Sequence, residues 1–546
     1  MIPPRARPCP PAERSGRAGE PDEPRDDHAD RSAPVPDRGE PGGRAGRHDV
    51  VAAVAAFALF AAAAVIGTAI DDDGRLSLRW PPLYADWEPH LGPGTAPTLL
   101  VAVLVVGWGP ALARRLPWRG LLWAGWPASL AWTFSLAMID GWERGVVGRL
   151  TGRHEYLAAV DRVDDLGRFL TTFAHHVPLD APDNWPVHVA GHPPGALLTF
   201  VGLDRIGAGG GVWGAAFILL VAASAVPAVL VTVRVLAGTT TARRVAPFAV
   251  LLPAAVWMGV SADAYFAAVA AWGVALLALA ASGAARRPGL TAFGAGLLFG
   301  WMLFLSYGLV LMAPTALAVL LLTRSWRPVL PVVAGMAVVA LTFLAGGFWW
   351  WEGYQALVER YHQGAARLRP YGYFVWANAA VLAVTVGPAG IAGLRRAATA
   401  GARWTRGVVR HGRADAEPAT RRRRGPAAAV GSLAASVRAS FPVVPAVLPA
   451  GGGGGSDARS SPPARHGTGP VGGAGPLVVL ALSAAVAVLA ATLSGMSKAE
   501  TERIWLPFVL WLIPAAALLP GRWVRWWLPA QAATAVAVNH LLLTGW

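Results

Sequence analysis

Residues 264–282 read AYFAAVAAWGVALLALAAS, nineteen positions without a charged side chain. A helix needs about 20 apolar residues to cross the hydrocarbon core of a bilayer. This one is apolar all round, so it has no polar face to turn toward water. Working outward from it, further apolar runs lie near 50–70, 96–113, 120–139, 211–236, 246–260, 290–304, 308–323, 328–348, 374–394, 475–493, 504–519 and 526–543. The pattern predicts an all-α, polytopic membrane protein of about 13 transmembrane helices, although several runs reach only 15–16 residues. Composition agrees: of 546 residues, 54% are hydrophobic and 14% charged, with a mean hydropathy of +0.44. An average soluble domain is roughly 25% charged. An ordinary soluble enzyme, a disordered chain and a fibrous repeat are thereby excluded. Cys9 is the single cysteine, which rules out an intramolecular disulfide and any zinc site built on cysteines.

The net charge of +15 is unevenly placed. Residues 1–48 hold nine arginines against nine acids, whereas 395–474 hold thirteen arginines against Asp415, Glu417 and Asp457. That second stretch is rich in Gly, Pro, Ser and Ala and carries no aromatic interleaving, so it reads as a disordered cytoplasmic loop near anionic lipid, with no nucleic-acid partner. Because the first apolar run starts near residue 50, it reads as an anchor rather than a cleaved leader. The arginines also set orientation. With the N-terminus inside, Arg114, Arg115, Arg119, Arg243, Arg244, Arg286, Arg287, Arg324, Arg327, the 395–474 loop, Arg522 and Arg525 all fall inside. This parity requires that 195–206, with Gly195, Gly202, Asp204 and Arg205, lie on the outer surface as an interfacial helix.

The expected organisation is a disordered cytoplasmic tail (1–48), two transmembrane helices (49–119), a transmembrane module with an external loop at 140–210 (120–394), the Arg-rich loop (395–474) and C-terminal transmembrane helices (475–546). The outer face collects the loops 71–95, 140–210, 349–373 and 494–503. The numerous tryptophans, clustered as at Trp349–Trp351, read mainly as interfacial anchors.

Chemistry-bearing residues concentrate in those loops. Asp140 ends the third span, and reads either as a solvated helix-end carboxylate or as one that accepts a proton from a substrate hydroxyl. Glu155 follows, then Asp161 and Asp165, which share one face if that segment is helical. Five of the twelve histidines lie within 154–192: His154, His175, His176, His188 and His192. The His188–His192 spacing is i,i+4, but Gly191 and Pro193-Pro194 argue against a continuous helix, and no Glu stands between to make a zinc-hydrolase motif. Asp263 reads as an N-cap or as a further acid facing the same cavity as Asp140. Lys498 is the only lysine among 47 basic residues. With Arg503 it sits on the outer side, against the positive-inside bias, and such a pair suits an anionic phosphate unless Glu500 and Glu502 simply neutralise it.

These features together resemble the GT-C superfamily of membrane glycosyltransferases, which use polyprenyl-phosphate-linked sugars. The stretch from Trp185 through His188, His192-Pro193-Pro194 and Gly195 is similar to the His-Pro-Pro-Leu signature of the protein O-mannosyltransferase group. Asp140 stands where that superfamily places its first acid. Ser261–Tyr265 resembles its second acidic turn, Gly300–Tyr307 with Pro314 its paired short helices, and Ser497–Arg503 with Pro507 and Pro514 its late basic loop. The resemblance covers roughly residues 120–543. It departs at Gly141, which replaces a second acid, at Gly195, which replaces Leu, in the two early spans and in the 395–474 insertion.

The resemblance implies an enzyme of the cell membrane, a hexosyl- or pentosyltransferase with its site on the external face. It would move a mannose- or arabinose-type sugar from a polyprenyl-phosphate donor to a cell-envelope glycan, lipid or protein. Asp140 would be the general base, Lys498 and Arg503 would hold the phosphate, and His188 and His192 would line the pocket with Glu155 and Asp263 beside them. No cofactor is required by the residues, and a divalent metal ion is left open by Gly141. Two rival readings are a multi-span transporter or lipid flippase and a metal-dependent membrane hydrolase built on the clustered histidines.

Overall fold

The computed structural model describes residues 42–71, 74–416 and 474–545. The expected tail, apart from its last residues, and the expected loop beyond residue 416 lie outside them. From Gly46 onward the chain packs as one unit. It runs through α1 (Gly42–Ile70), β1 (Ala85–Trp87), α2 (Thr95–Arg115), α3 (Trp118–Ala137), α4 (Pro194–Arg205), α5 (Gly210–Ala223), α6 (Ala225–Ala237), α7 (Thr239–Val250), α8 (Ala262–Ala281) and α9 (Pro288–Leu305). It continues through α10 (Ala313–Thr323), α11 (Val329–Ala345), α12 (Trp350–Gln363), α13 (Tyr371–Thr385), α14 (Gly387–Ala416), α15 (Ala474–Leu493), α16 (Leu506–Leu512), α17 (Val524–Leu541) and β2 (Leu542–Thr544). Shorter helical turns fill the connections. The only sheet among the described residues pairs β1 with β2 antiparallel, Ala85 opposite Thr544 and Trp87 opposite Leu542.

Among the described residues six helical stretches are long and apolar enough to cross a membrane, and up to nine if each of three sharply bent helix pairs is one span. About 13 spans were expected from the apolar runs. The shortfall has a physical cause. The run 246–260 is broken between α7 and a four-residue helix at Ala255–Met258, and 504–519 divides into α16 and a 3-10 segment. The α3 helix has 20 residues, but Arg119 and its tryptophans dilute its hydropathy. All but the last residue of the nineteen-residue stretch that set the reading lies within α8, which is buried along most of its length and forms the centre of the bundle. Expected membrane spans and buried core helices look alike in an apolar run.

The loops sort to two ends. At one end Arg243 donates to the carbonyls of Ala113 and Arg114, and Arg244 to that of Leu519. There Asp49, on α1, takes Arg395 and Arg396 of α14, each at 2.7 Å. The α2 helix brings the chain to this end from the opposite one, about 31 Å away at 1.5 Å per residue. At that opposite end lie Asp140, the 140–193 loop, Asp263 and residues 494–503. The α4 helix has 12 residues, about 18 Å, too short to cross. The expected loop at 395 begins instead as helix, since α14 runs on to Ala416.

Candidate functional site

Asp140 closes α3, and Gly141 behind it takes φ +86, a conformation that disfavours any side chain. The acid that Gly141 replaces in the resemblance would be strained here. The Asp140 side chain is only 3% exposed, and both oxygens are held. His90 Nε2 lies 2.7 Å from Oδ1 and Arg149 Nη2 lies 2.6 Å from Oδ2. The other His90 nitrogen meets the Glu88 carbonyl at 2.6 Å, so the ring bridges two acceptors. Arg149 also donates to the carbonyl of Thr544 in β2. The loop before α2 and the strand after α17 are thus tied to the first acid. A side chain at Gly92 or Gly145 would collide with the carbonyls of Ile139 or Ala137, which keeps both backbones close to Asp140.

The histidine loop supplies a second cluster. Tyr156–Arg162 is a 3-10 turn and Asp165 caps the following helix, accepting from Arg168 N at 2.6 Å. Asp161 and Asp165 therefore do not share one helical face, because the segment breaks at Val163. The helix at Val187–Ala190 ends at Gly191, as the prolines predict. His188 Nδ1 pairs with Glu155 at 2.8 Å, both largely buried. His192 Nδ1 meets the His188 carbonyl at 2.8 Å and the Tyr156 hydroxyl at 2.9 Å. Burial pulls the His192 imidazole down to about 4, so the ring is neutral at physiological pH. Burial alone would raise the Glu155 carboxyl, but His188, Arg503 and His192 bring it below its usual value. Gly195, after the two prolines, faces the Phe304 carbonyl, where a Cβ would come within 2.5 Å. The leucine of the resembled signature does not fit here.

The late loop closes the site. Arg503, on the short helix Thr501–Ile504, binds Asp263 at 3.0 Å and Glu500 at 3.6 Å. Burial works against its charge, yet Asp263, Glu500 and Glu155 hold the guanidinium above its usual value. Asp263 does not cap α8. Ser261 occupies the cap position, and Asp263 sits in the first turn with its carboxylate turned to Arg503. Lys498 stands apart from this cluster: its ammonium lies 3.3 Å from the Ala366 carbonyl and 5.9 Å over the Tyr361 ring. Arg369 fastens the loop by bonding the Lys498 carbonyl at 2.8 Å, Glu500 at 3.5 Å and the Leu76 carbonyl at 3.0 Å. Glu502 is fully buried, and one oxygen accepts from Tyr84 N at 2.9 Å. Its other oxygen has no partner among the described residues, and burial pushes the carboxyl up to about 7.

Of the expected site residues, Glu155, His188, His192, Asp263 and Arg503 share one buried ionic network. Asp140 joins it through Arg149, which lies within electrostatic reach of Glu155. Lys498 contributes its backbone rather than its charge. His90, Arg149, Arg369 and Glu502 were not singled out as site residues from sequence. For His90 the available signal was its place in an outer loop just before a span.

One cavity adjoins the network, and a second borders the first. The first is a small one of about 40 Å³ that has Asp263, Ser306 and Ser497 at its edge and is otherwise lined by apolar residues, among them Phe266, Trp505 and Phe508. The buried Trp505 Nε1 has no acceptor among the described residues. The second, an almost wholly apolar one of about 330 Å³, is lined by residues including Phe299, Met302, Ala316, Val333 and Met336. Leu309 borders both. Among the described residues no three His, Cys, Asp or Glu side chains come together to hold a metal ion. Searches against protein-family models, curated proteins and solved structures find no match for this chain.

Proposed function

We propose that this protein is an integral membrane glycosyltransferase of the GT-C type, which takes a mannose- or arabinose-type sugar from a polyprenyl-phosphate donor to a cell-envelope acceptor at the external face. The observation that carries this reading is the buried charged cluster around Arg503 and Asp263, which a small cavity bordered by Asp263 and Leu309 sets next to a larger apolar one. A lipid-linked sugar has a charged head and a long apolar tail; the charged cluster would receive the first and the apolar cavity the second. The alternation of loops between two ends favours about 13 passes of the chain, several shortened where they are covered by protein.

In this reading the acceptor hydroxyl attacks the anomeric carbon, the bond from that carbon to the phosphate oxygen breaks, and the electron pair leaves with the phosphate. Arg503 would exchange part of its pairing with Asp263 for the phosphate, and its fixed charge would favour the leaving group. The acceptor's proton would go to Asp140, after the His90 or Arg149 contact yields an oxygen. Neutral His192, with Glu155 and His188, would line the sugar subsite. Lys498 would act at the rim.

The transporter and flippase reading calls for ionisable groups at mid-span. The buried charged side chains among the described residues gather at the two ends instead. The test is direct. Proteoliposomes of the purified protein are given polyprenyl-phosphate mannose or arabinose, and both donor retention and sugar transfer are followed. Failure to retain or turn over either donor, with lipid translocation present, would replace this reading with the flippase.

A further inference from the structure

A second surface lies at the end remote from the network. The α13 and α14 helices meet at an angle of 115°. Gly387 takes φ +78 at the break, and Gln531 bridges it by donating to Val386 O at 2.6 Å and accepting from Ala389 N at 3.1 Å. The α14 helix therefore leaves the direction of α13 and turns across the end of the bundle. Its first half is held tightly, since a Cβ on Gly393 would come within 2.4 Å of the Ala515 carbonyl. From Ala402 through Arg406 it is exposed.

At 3.6 residues per turn Arg395, Arg396, Arg403 and Arg406 fall on one face. Asp49 pairs with the first two and offsets one of their two charges. Arg403 and Arg406 have no acidic partner among the ion pairs of the described residues, and no Asp or Glu occurs in the sequence between Gly387 and Ala414. Trp404, 42% exposed, lies between them. The same end carries Arg114, Arg115, Arg243, Arg244 and the exposed Trp526. A transverse helix with a basic face and a tryptophan, at the level where apolar helices end, has the composition of a segment seated among lipid headgroups.

We propose that residues 395–406 of α14 form a binding surface for anionic phospholipid headgroups, with Arg403 and Arg406 as its cations and Trp404 at headgroup depth. This inference does not depend on sugar transfer. For the test, full-length protein carrying Cys9→Ser and Ala402→Cys receives a spin label at position 402 and is placed in nanodiscs of phosphatidylcholine with increasing phosphatidylglycerol. The label should become shielded from a water-soluble relaxant as the anionic lipid rises, and high salt should reverse the change. Replacing Arg403 and Arg406 by Gln should weaken the response about fivefold per charge, whereas Arg→Lys at both positions should retain it. Equal shielding in phosphatidylcholine alone and with phosphatidylglycerol would overturn the proposal. So would a response that survives the double Gln change while the Lys variant stays folded. Protection of the label by single-stranded nucleic acid but not by phosphatidylglycerol would also overturn it, in favour of a polyanion partner.

Discussion

Asp140 carries two duties that substitution can separate. Its carboxylate balances Arg149 and His90 in a buried position, and the proposed reaction also asks it to take a proton. Asp140→Asn should lower sugar transfer by roughly 10²–10⁴-fold while the protein still inserts into membranes. Full transfer by that variant would remove Asp140 from the chemistry. Arg149→Met leaves the acid without its cation, and should destabilise the protein by roughly 3–5 kcal/mol, read as a fall in melting temperature in detergent. Glu502 gives a pH signature. Its carboxyl is raised to about 7 by burial, with Glu500 nearby adding to the shift and Arg503 opposing it. The folded state thus holds a proton that the unfolded state releases above about 4.5, so this contribution is complete below that pH and is lost as pH rises through about 7. His192 has the opposite slope, its contribution disappearing as pH falls from about 6.5 through about 4. The difference in melting temperature between wild type and Glu502→Gln should therefore change between pH 5 and 8. A constant difference would show that Glu502 does not titrate there. The acids and histidines of the network were legible as residue types in outer loops. Their pairings were not, because the bond from Glu502 to Tyr84 N joins positions 418 apart and leaves no local pattern.

At the scale of elements, α9 and α11 approach closely because Gly296 and Gly335 face each other's backbones. A Cβ on Gly296 would lie 2.1 Å from the Val332 carbonyl, and one on Gly335 would lie 2.3 Å from the Phe293 carbonyl. Such small-residue contacts let helices pack without a hydrophobic driving force between them. These helices also wall the apolar cavity. Gly335→Val should push them apart and cost about 1–3 kcal/mol, seen as earlier thermal unfolding. Ala316→Trp fills the cavity without touching the ionic network. It should reduce retention of long-chain polyprenyl donors while sparing short-chain analogues, and equal loss for both would place the tail elsewhere. Apolar runs revealed that these helices exist. They did not reveal that some are short, because a run of 15 apolar residues suits a protein-covered helix as well as a membrane span.

At the scale of the whole molecule, the all-α character and the presence of several apolar helices were the most legible features; the expected orientation rests on arginine placement, which follows a bias that acts on the whole chain. The prediction is that cysteines introduced near Lys498 react with an impermeant reagent added outside intact cells, while one placed beside Arg403 does not. Reaction of the second site alone would invert the orientation and move the proposed chemistry to the cytoplasmic leaflet. The Asp49 clamp belongs to this scale too. It fastens α1 to α14, and Asp49→Ala should loosen both by leaving Arg395 and Arg396 with no counter-charge, at a cost of roughly 3–5 kcal/mol.

The short ladder between β1 and β2 has a consequence for biosynthesis. Arg149 and its acceptor Thr544 are 395 positions apart. At 5–20 residues per second, about 20–80 s pass on the ribosome between the making of one and of the other. Through that interval the guanidinium beside Asp140 has no β2 carbonyl to meet, and the site stays ajar. A nascent chain arrested short of its last strand would be inserted yet unfinished, which offers a quality-control factor a means of telling it from the finished product.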